Sequence, residues 1–352
     1  MSSSAAKSPP ECAGVIAITW EQHRRTRELC KWLGIPLHEL TYDGPPPSRY
    51  ARLTSKTLAL LAAARPRVVY IQNPSVVLAT VVLAARPLLG GYKVVMDAHN
   101  EAVSPFTHAY WPITSLARRA LRRADITIVT NEPLATKVEA QGGHPLILPD
   151  RLPTPPLGEI AAPADTKPFQ VMVVATYAAD EPIAEIIEAA RIVGSDFEFR
   201  ITGKETKLPE AQRLSLPANV KQTGFLQEED YWHLMASSHV VLDLTLKPDC
   251  LVCGAYEALA ARRPMILSAN PPTIALFARA AIFVEHHTPA GIVQALQQAR
   301  ASYTHLSESV EHAAREFPHS WERQAQDLQT RIAAWAQAGD AKRNAIQPAD
   351  LG

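Results

Sequence analysis

The chain has 352 residues, 47% of them hydrophobic, with Lys+Arg and Asp+Glu both at 35 and a formal net charge of zero. That length exceeds one ordinary core and suits two domains, while balanced charge argues against a duplex nucleic-acid binder, which needs a basic surplus on one face. The four cysteines, Cys12, Cys30, Cys250 and Cys253, are too sparse for a secreted disulfide scaffold and fit a reducing, cytoplasmic compartment.

Residues 1–12 are Ser/Ala-rich, carry no long apolar run, and read as a flexible N-terminus rather than a signal peptide. From there to residue 150, strands are predicted at 14–19, 36–40, 67–72, 92–97, 126–130 and 145–148. Helical spacing occupies 22–33, 50–64 and 113–123 between them. The apolar stretch 75–89 is shorter than the ~20 residues a membrane span needs, and Arg86 and Pro87 interrupt it, so it reads as a buried helix. These strands are continuous apolar runs, the pattern of a parallel sheet buried on both faces.

Six prolines between Pro149 and Pro168 then break the pattern. Proline removes amide donors and fixes the backbone, so 151–168 is expected to be an interdomain linker and hinge. The alternation restarts with strands at 169–175, 197–202, 219–223, 240–244, 264–267 and 281–284. Helices are expected at 182–193, 228–236, 251–261, 274–279 and 289–301. A last helix at 319–338, with Trp321, Leu328, Ile332 and Trp335 at helical spacing, is expected to pack back toward the first domain, followed by a disordered tail at 339–352. The whole predicts two doubly wound α/β domains, 13–150 and 169–318, facing across a cleft.

No G-x-G-x-x-G follows any strand and no Walker A motif is present, so a phosphate group must be held by another device. The most informative segment is KPDCLVCGAYEALAARRP, residues 247–264. Asp249 is expected in the loop before a helix and Glu257 two turns into it. The free amides of Leu251, Val252, Cys253 and Gly254 are expected to cluster at the helix start, where they and the helix dipole receive an anion. A nucleotide-sugar matches these needs. Glu257 suits the ribose diol and Asp249 the sugar hydroxyls, because a carboxylate accepts two bonds from a vicinal diol. Cys250 and Cys253 form a lone C-x-x-C. A zinc site needs two further ligands, so both are read as structural and no metal is expected.

GAYEALAARRPMI, with an acid eight positions before its Glu, resembles the E-x7-E region of family 4 glycosyltransferases of the GT-B fold. Asp249 stands where that family has Glu. NVKQTGFLQEEDYWHLMASSHVVLDLT and ITGK (201–204) resemble the family's preceding segments. The resemblance implies that Thr223, Phe225 and Leu226 border the donor base and that Gly203 and Lys204 lie beneath the donor. The family's Arg and Lys after the first strand of this domain have no counterpart in the stretch 175–182, so Lys204 and Lys247 are the substitute candidates for the diphosphate, each with a solvated surface lysine as the alternative.

VVYIQNPSVVLA and KVVMDAHNEAV in the first domain resemble GT-B enzymes that include the chitobiosyldiphosphodolichol mannosyltransferases, which act on lipid-linked sugars. Asp97, Ala98, His99, Asn100 and Glu101 follow a predicted strand end, where cleft residues arise. His99 is the candidate to contact the transferred sugar or assist the acceptor hydroxyl, with Asn100 beside it. The alternative is a loop histidine that caps local backbone. After the first strand, Glu21, His23 and Arg24 are acceptor-side candidates; the alternative is a plain helix start with Thr19 as N-cap. Arg118, Arg119, Arg122 and Arg123 share one helical side, read either as a peripheral docking face for anionic lipid or as a solvated face.

The resulting expectation is a metal-independent, cofactor-free glycosyltransferase of glycan or glycoconjugate biosynthesis, using a nucleotide-sugar donor and a glycan or lipid-linked acceptor. The second-domain resemblance implies retention of anomeric configuration and the first-domain resemblance inversion. The rivals are an epimerase or phosphorylase of the same fold and a non-catalytic binding protein.

Overall fold

The computed structural model describes residues 13–73, 75–98, 100–103, 111–158, 163 and 167–344. The chain forms two compact units, one comprising residues up to Arg151 together with those from Trp321 onward, the other Leu152–Ser320.

In the first unit the elements run β1 (Val15–Thr19), α1 (Arg24–Leu33), β2 (Leu37–Glu39), α2 (Pro46–Ala64), β3 (Val68–Asn73), α3 (Val76–Ala85), β4 (Lys93–Ala98), α4 (Asn100–Val103), α5 (Trp111–Arg123), β5 (Ile126–Val129), α6 (Glu132–Ala140) and β6 (Pro145–Ile147). All six strands are parallel, in the order β2-β1-β3-β4-β5-β6. Local chemistry sets the helix ends. Gly34 takes the left-handed conformation (φ 67°) that ends α1, and the Ser75 hydroxyl accepts the Leu78 amide at the start of α3. The apolar α3 packs its buried face into the core with Leu78, Ala79 and Val82. Since β1 is followed by β2 on one side and β3 on the other, the order reverses between β1 and β3.

The second unit holds β7 (Phe169–Val173), α7 (Ile183–Val193), β8 (Phe197–Thr202), α8 (Glu210–Leu214), β9 (Val220–Gly224), α9 (Glu228–Ser237), β10 (Val240–Asp243), α10 (Cys253–Ala260), β11 (Met265–Ser268), α11 (Pro271–Phe277), β12 (Ala281–Val284) and α12 (Pro289–Ala301), and it contains the start of α13 (Tyr303–Asn344). Its sheet is again parallel, ordered β12-β11-β10-β7-β8-β9, with the reversal between β7 and β10. Continuous burial along β10 and β11 is the sheet-core pattern read from the sequence.

Two expectations change. The last helix begins at Tyr303, carries Pro318 inside it, and continues past residue 339 to Asn344, so 339–344 are helical rather than a disordered tail; residues 345–352 lie outside the described set. Proline removes one amide donor and clashes with the preceding turn, a cost of about 3 kcal/mol, but buried Val310 on one side and Trp321, Ala325, Leu328 and Ile332 on the other hold the helix in place. The first part of the proline-rich stretch is also anchored. The Pro149 carbonyl accepts the Trp321 indole N–H at 2.9 Å within the first unit, and Leu152 and Leu157 pack on the core of the second.

Candidate active site

Ligand crevices in doubly wound sheets form outside the carboxyl ends of the strands, where the strand order reverses. In the second unit this is the gap between the loop after β7 and the loop after β10.

The first of these loops folds around its own acid. The Glu181 carboxylate accepts the Thr176 N–H (2.9 and 3.1 Å to its two oxygens), the Thr176 hydroxyl (2.7 Å) and the Ala178 N–H (3.3 Å). The Lys207 ammonium donates to the Thr176 carbonyl at 2.8 Å. Tyr177 sits at φ 56° and its hydroxyl accepts from Gln222 Nε2 at 3.0 Å. Gly203 at φ 94° lets the β8 turn approach this loop; a Cβ there would stand 2.2 Å from the Ala175 carbonyl oxygen.

The second loop is tied to the first through Asp180. Its carboxylate accepts the Thr245 hydroxyl at 2.7 Å and lies 3.6 Å from the Lys247 ammonium, while its backbone carbonyl accepts the Leu246 N–H at 2.7 Å. At the end of β10, buried Asp243 accepts the Gly254 N–H at 3.0 Å. A Cβ on Gly254 would come within 2.4 Å of that same oxygen. Burial pushes the Asp243 carboxyl up to about 8, with repulsion from Glu181, Glu257 and Asp180 adding to it and the Gly254 amide opposing it. In α10, Glu257 accepts the Tyr231 hydroxyl at 2.6 Å; burial first, and Glu257 second, hold that phenol well above its ordinary range.

The helix start differs from its sequence reading. Leu251 and Val252 precede α10, with Val252 as N-cap and both side chains packed on the core. The cluster therefore begins at Cys253, which is exposed, and the Gly254 amide is already committed to Asp243. Glu257 is the fifth residue of the helix, little more than one turn in. Asp249 is half-buried in the loop before it. Along β8 and β9, Lys204 is exposed, the Gly203 N–H donates to the Gly224 carbonyl at 3.2 Å, and the Thr223 hydroxyl donates to the Gly224 carbonyl at 3.0 Å. Phe225 is 73% exposed, and Leu226 packs on the core. Sequence reasoning missed Glu181, Asp180, Asp243, Lys207 and Tyr231. The one available signal was an acid at the end of an apolar strand, VVLD.

In the first unit, the reversal between β1 and β3 brings Thr19 to Gln72, whose Oε1 lies 2.7 Å from the Thr19 hydroxyl. The Gln72 Nε2 is buried with no partner among the described residues. Thr19 is not a helix cap: α1 starts at Arg24 with His23 as N-cap, because the Thr19 hydroxyl is held by Gln72 and the Glu21 backbone. Glu21 is exposed, 3.6 Å from Arg49. His23 is half-buried and Arg24 exposed. Beneath them, buried Arg25 donates to both oxygens of Asp97 at 3.1 Å, to Asp150 and to the Leu148 carbonyl. The Tyr70 hydroxyl donates to Asp97 at 2.6 Å. His99 lies outside the described residues; Asn100 begins α4, its side chain likewise outside them. Three His, Cys, Asp or Glu side chains placed to hold a metal ion are not found together among the described residues, and no described helix is long and apolar enough to cross a membrane.

These two doubly wound sheets define a GT-B glycosyltransferase. Residues 11–148 match the family model of the glycosyl transferase 4-like domain and residues 181–330 that of the glycosyl transferase-like domain, so the chain belongs to the family 4-like glycosyltransferases. Among solved structures it is similar to Anabaena HepE in complex with UDP-glucose (14% identity, TM-score 0.66, covering 92% of this chain and 99% of that one). It is also similar to sucrose-phosphate synthase from Thermosynechococcus elongatus (14%, 0.68, 94% and 99%) and to the lipopolysaccharide outer core galactosyltransferase WaaB (11%, 0.61, 90% and 99%). No curated protein sequence matched. Both domain models are coarser than the resemblance to chitobiosyldiphosphodolichol mannosyltransferases, which stays an expectation of the sequence.

Proposed function

We propose that the second unit binds a nucleoside-diphosphate sugar at the β7–β10 reversal and that the enzyme transfers its sugar to a hydroxyl of a glycan or lipid-linked glycan. One observation carries the reading: Glu257, on the helix that follows β10, is held by the Tyr231 hydroxyl within the same group of acids as Asp243. A carboxylate so oriented accepts a vicinal diol, and Asp249 in the adjoining loop serves the sugar hydroxyls. In the transfer, the acceptor oxygen bonds to the anomeric carbon, the bond from that carbon to the diphosphate oxygen breaks with its electron pair going to the diphosphate, and the proton of the acceptor hydroxyl passes to the departing diphosphate. Backbone amides and the lysines 204, 207 and 247 meet the growing negative charge, so the reading requires neither metal nor cofactor.

Acceptor residues are drawn from Glu21, His23, Arg24, His99 and Asn100, with the unpartnered Gln72 amide as a further donor to a hydroxyl. HepE and WaaB support the nucleotide-sugar and glycan classes by likeness of fold. The free thiols of Cys30 and Cys250 fit the reducing, cytoplasmic setting read from the sparse cysteines.

A peripheral membrane contact belongs to the same reading. The α5 helix carries Arg118, Arg119 and Arg123 on its exposed surface, while Arg122 donates to the Gln141 carbonyl. Arg119, Arg123 and Leu116 border a cavity of about 230 Å³ against α3, and Leu88 nearby in sequence to α3 is 85% exposed.

The test is a panel of UDP-, GDP-, ADP- and dTDP-sugars scored for thermal stabilisation and slow hydrolysis. One donor class is expected to stabilise the protein, and Glu257→Ala is expected to abolish that shift. No stabilisation by any donor would leave a non-catalytic binding protein as the better reading.

A further inference from the structure

We infer that Ser268 and Asn270, at the carboxyl end of β11, are positioning residues for the transfer: from the side opposite β7 they fix the loop that carries Lys247 and Asp249. The consequence for the donor rests on the nucleotide-sugar reading, whereas the bracket itself stands on contacts between separate elements.

Strand β10 ends at Asp243 and helix α10 begins at Cys253, so residues 244–252 have no ladder or helix to hold them. β10 lies between β7 and β11, and Asp180 ties the loop to the β7 side. The β11 side supplies a second hold. Met265, Ile266 and Leu267 are apolar and buried, yet Ser268 and Asn270 beyond them are polar and also buried, at 4% and 6% exposure. Polar groups so enclosed are costly unless bonded, and here their bonds go to the loop. The Asn270 amide works at both ends. Its Oδ1 accepts the Thr273 N–H at 2.9 Å and caps α11, while its Nδ2 donates to the Cys250 carbonyl at 3.1 Å. The Thr273 hydroxyl donates to the same carbonyl at 3.4 Å, so the backbone beside Asp249 is gripped twice. Ser268 takes the other end of the loop, its hydroxyl oxygen accepting the Thr245 N–H at 2.9 Å. The Thr245 hydroxyl in turn donates to Asp180 at 2.7 Å and accepts the Lys247 N–H at 3.2 Å. Behind Ser268, the His287 Nε2 on the loop after β12 lies 2.8 Å from the Ser268 Oγ. Both sets of bonds act on backbone next to Lys247 and Asp249 rather than on those side chains, as positioning requires.

The experiment compares wild type with Asn270→Ser, Ser268→Ala and Thr273→Val. Serine still caps a helix but is too short to reach the Cys250 carbonyl, so Asn270→Ser separates the bracket from the cap. Thr273→Val keeps the side-chain shape and removes one of the two bonds to that carbonyl. Circular dichroism and a thermal melt establish that each variant is folded. The first readout needs no donor: labelling by N-ethylmaleimide, resolved by mass spectrometry, of half-buried Cys250 against exposed Cys253 as internal reference. Asn270→Ser is expected to speed Cys250 labelling about fivefold, the scale of one neutral hydrogen bond, and Thr273→Val to speed it less. The second readout is KM and kcat for the nucleotide-sugar that the donor panel selects. Asn270→Ser and Ser268→Ala are each expected to raise that KM about fivefold, again one hydrogen bond, and to lower kcat by less. Folded variants with wild-type Cys250 labelling, or with wild-type KM, would overturn the inference. If Cys250 labelling rises but wild type binds no donor of the panel, the bracket stands and the donor reading falls. A wild type that binds donor, with both readouts unchanged in the variants, gives the converse.

Discussion

Each unit buries charge at the carboxyl edge of its sheet, and the two do so in opposite ways. In the first, Arg25 is enclosed with Asp97 and Asp150, and Tyr70 completes the set. Burial alone would lower the Arg25 pKa, yet the surrounding acids raise it on balance. The group is satisfied internally and reads as structure. In the second, the neighbours that move the Asp243 carboxyl are other carboxylates, relieved only by one amide. Burial is common to both; among the described residues, a buried cation bonded directly to the buried acid is found only in the first. Perturbed groups cluster at functional sites for this reason, and the imbalance, more than the depth, separates a site from a clamp.

Breaking the balanced side should have the largest effect. Arg25→Ala leaves Asp97 buried without its cation, which costs about 3–5 kcal/mol, so a urea titration should show the first unit unfolding at markedly lower denaturant. On the unbalanced side, Glu257→Ala should leave the fold intact while lowering transfer or donor hydrolysis by about 100-fold, the scale of losing a charged hydrogen-bonding partner. A third change sharpens the contrast through pH. Because the folded-state pKa of Asp243 lies near 8 and the unfolded value near 4, the folded protein binds the extra proton between them. Stability should therefore be highest below about pH 4 on this account and decline as pH rises toward 8. Asp243→Asn, which keeps an oxygen for the Gly254 amide, should flatten that slope in urea midpoints measured from pH 5 to 8. The smallest effect is expected from Tyr231→Phe. Glu257 keeps its charge and loses one hydrogen bond, worth about 1.5–3 kcal/mol of stability, so a melting temperature lowered by a few degrees and a modestly raised KM for donor are expected.

The fold was legible because β-branched runs such as VIAIT and VVLD are buried on both faces of a parallel sheet, which leaves no alternation for polar residues. The last helix was read only from 319 onward, whereas the buried residues on either side of Pro318, from Val310 to Ile332, hold a continuous helix from Tyr303 through tertiary packing. At the site, Glu257 was visible through motif spacing. Glu181 was not: its role depends on a loop that turns its amides back on an acid five residues later, and Tyr177 adopts a positive φ there that composition does not announce. Asp243 was equally hidden, since nothing in VVLDLT says which amide the acid will meet.

The path of α13 sets an order on biosynthesis. Leu152–Ser320 is contiguous, so the second unit can mature as soon as it leaves the ribosome. The first unit is begun earlier yet completed later: it needs Trp321 against Trp32, with ring centroids 5.3 Å apart, and the Ala336 carbonyl at the Arg67 guanidinium, 2.6 Å away. Until residues 321–336 emerge, the surface that Leu328 and Ile332 cover stays bare, which makes the half synthesised first the one that must wait.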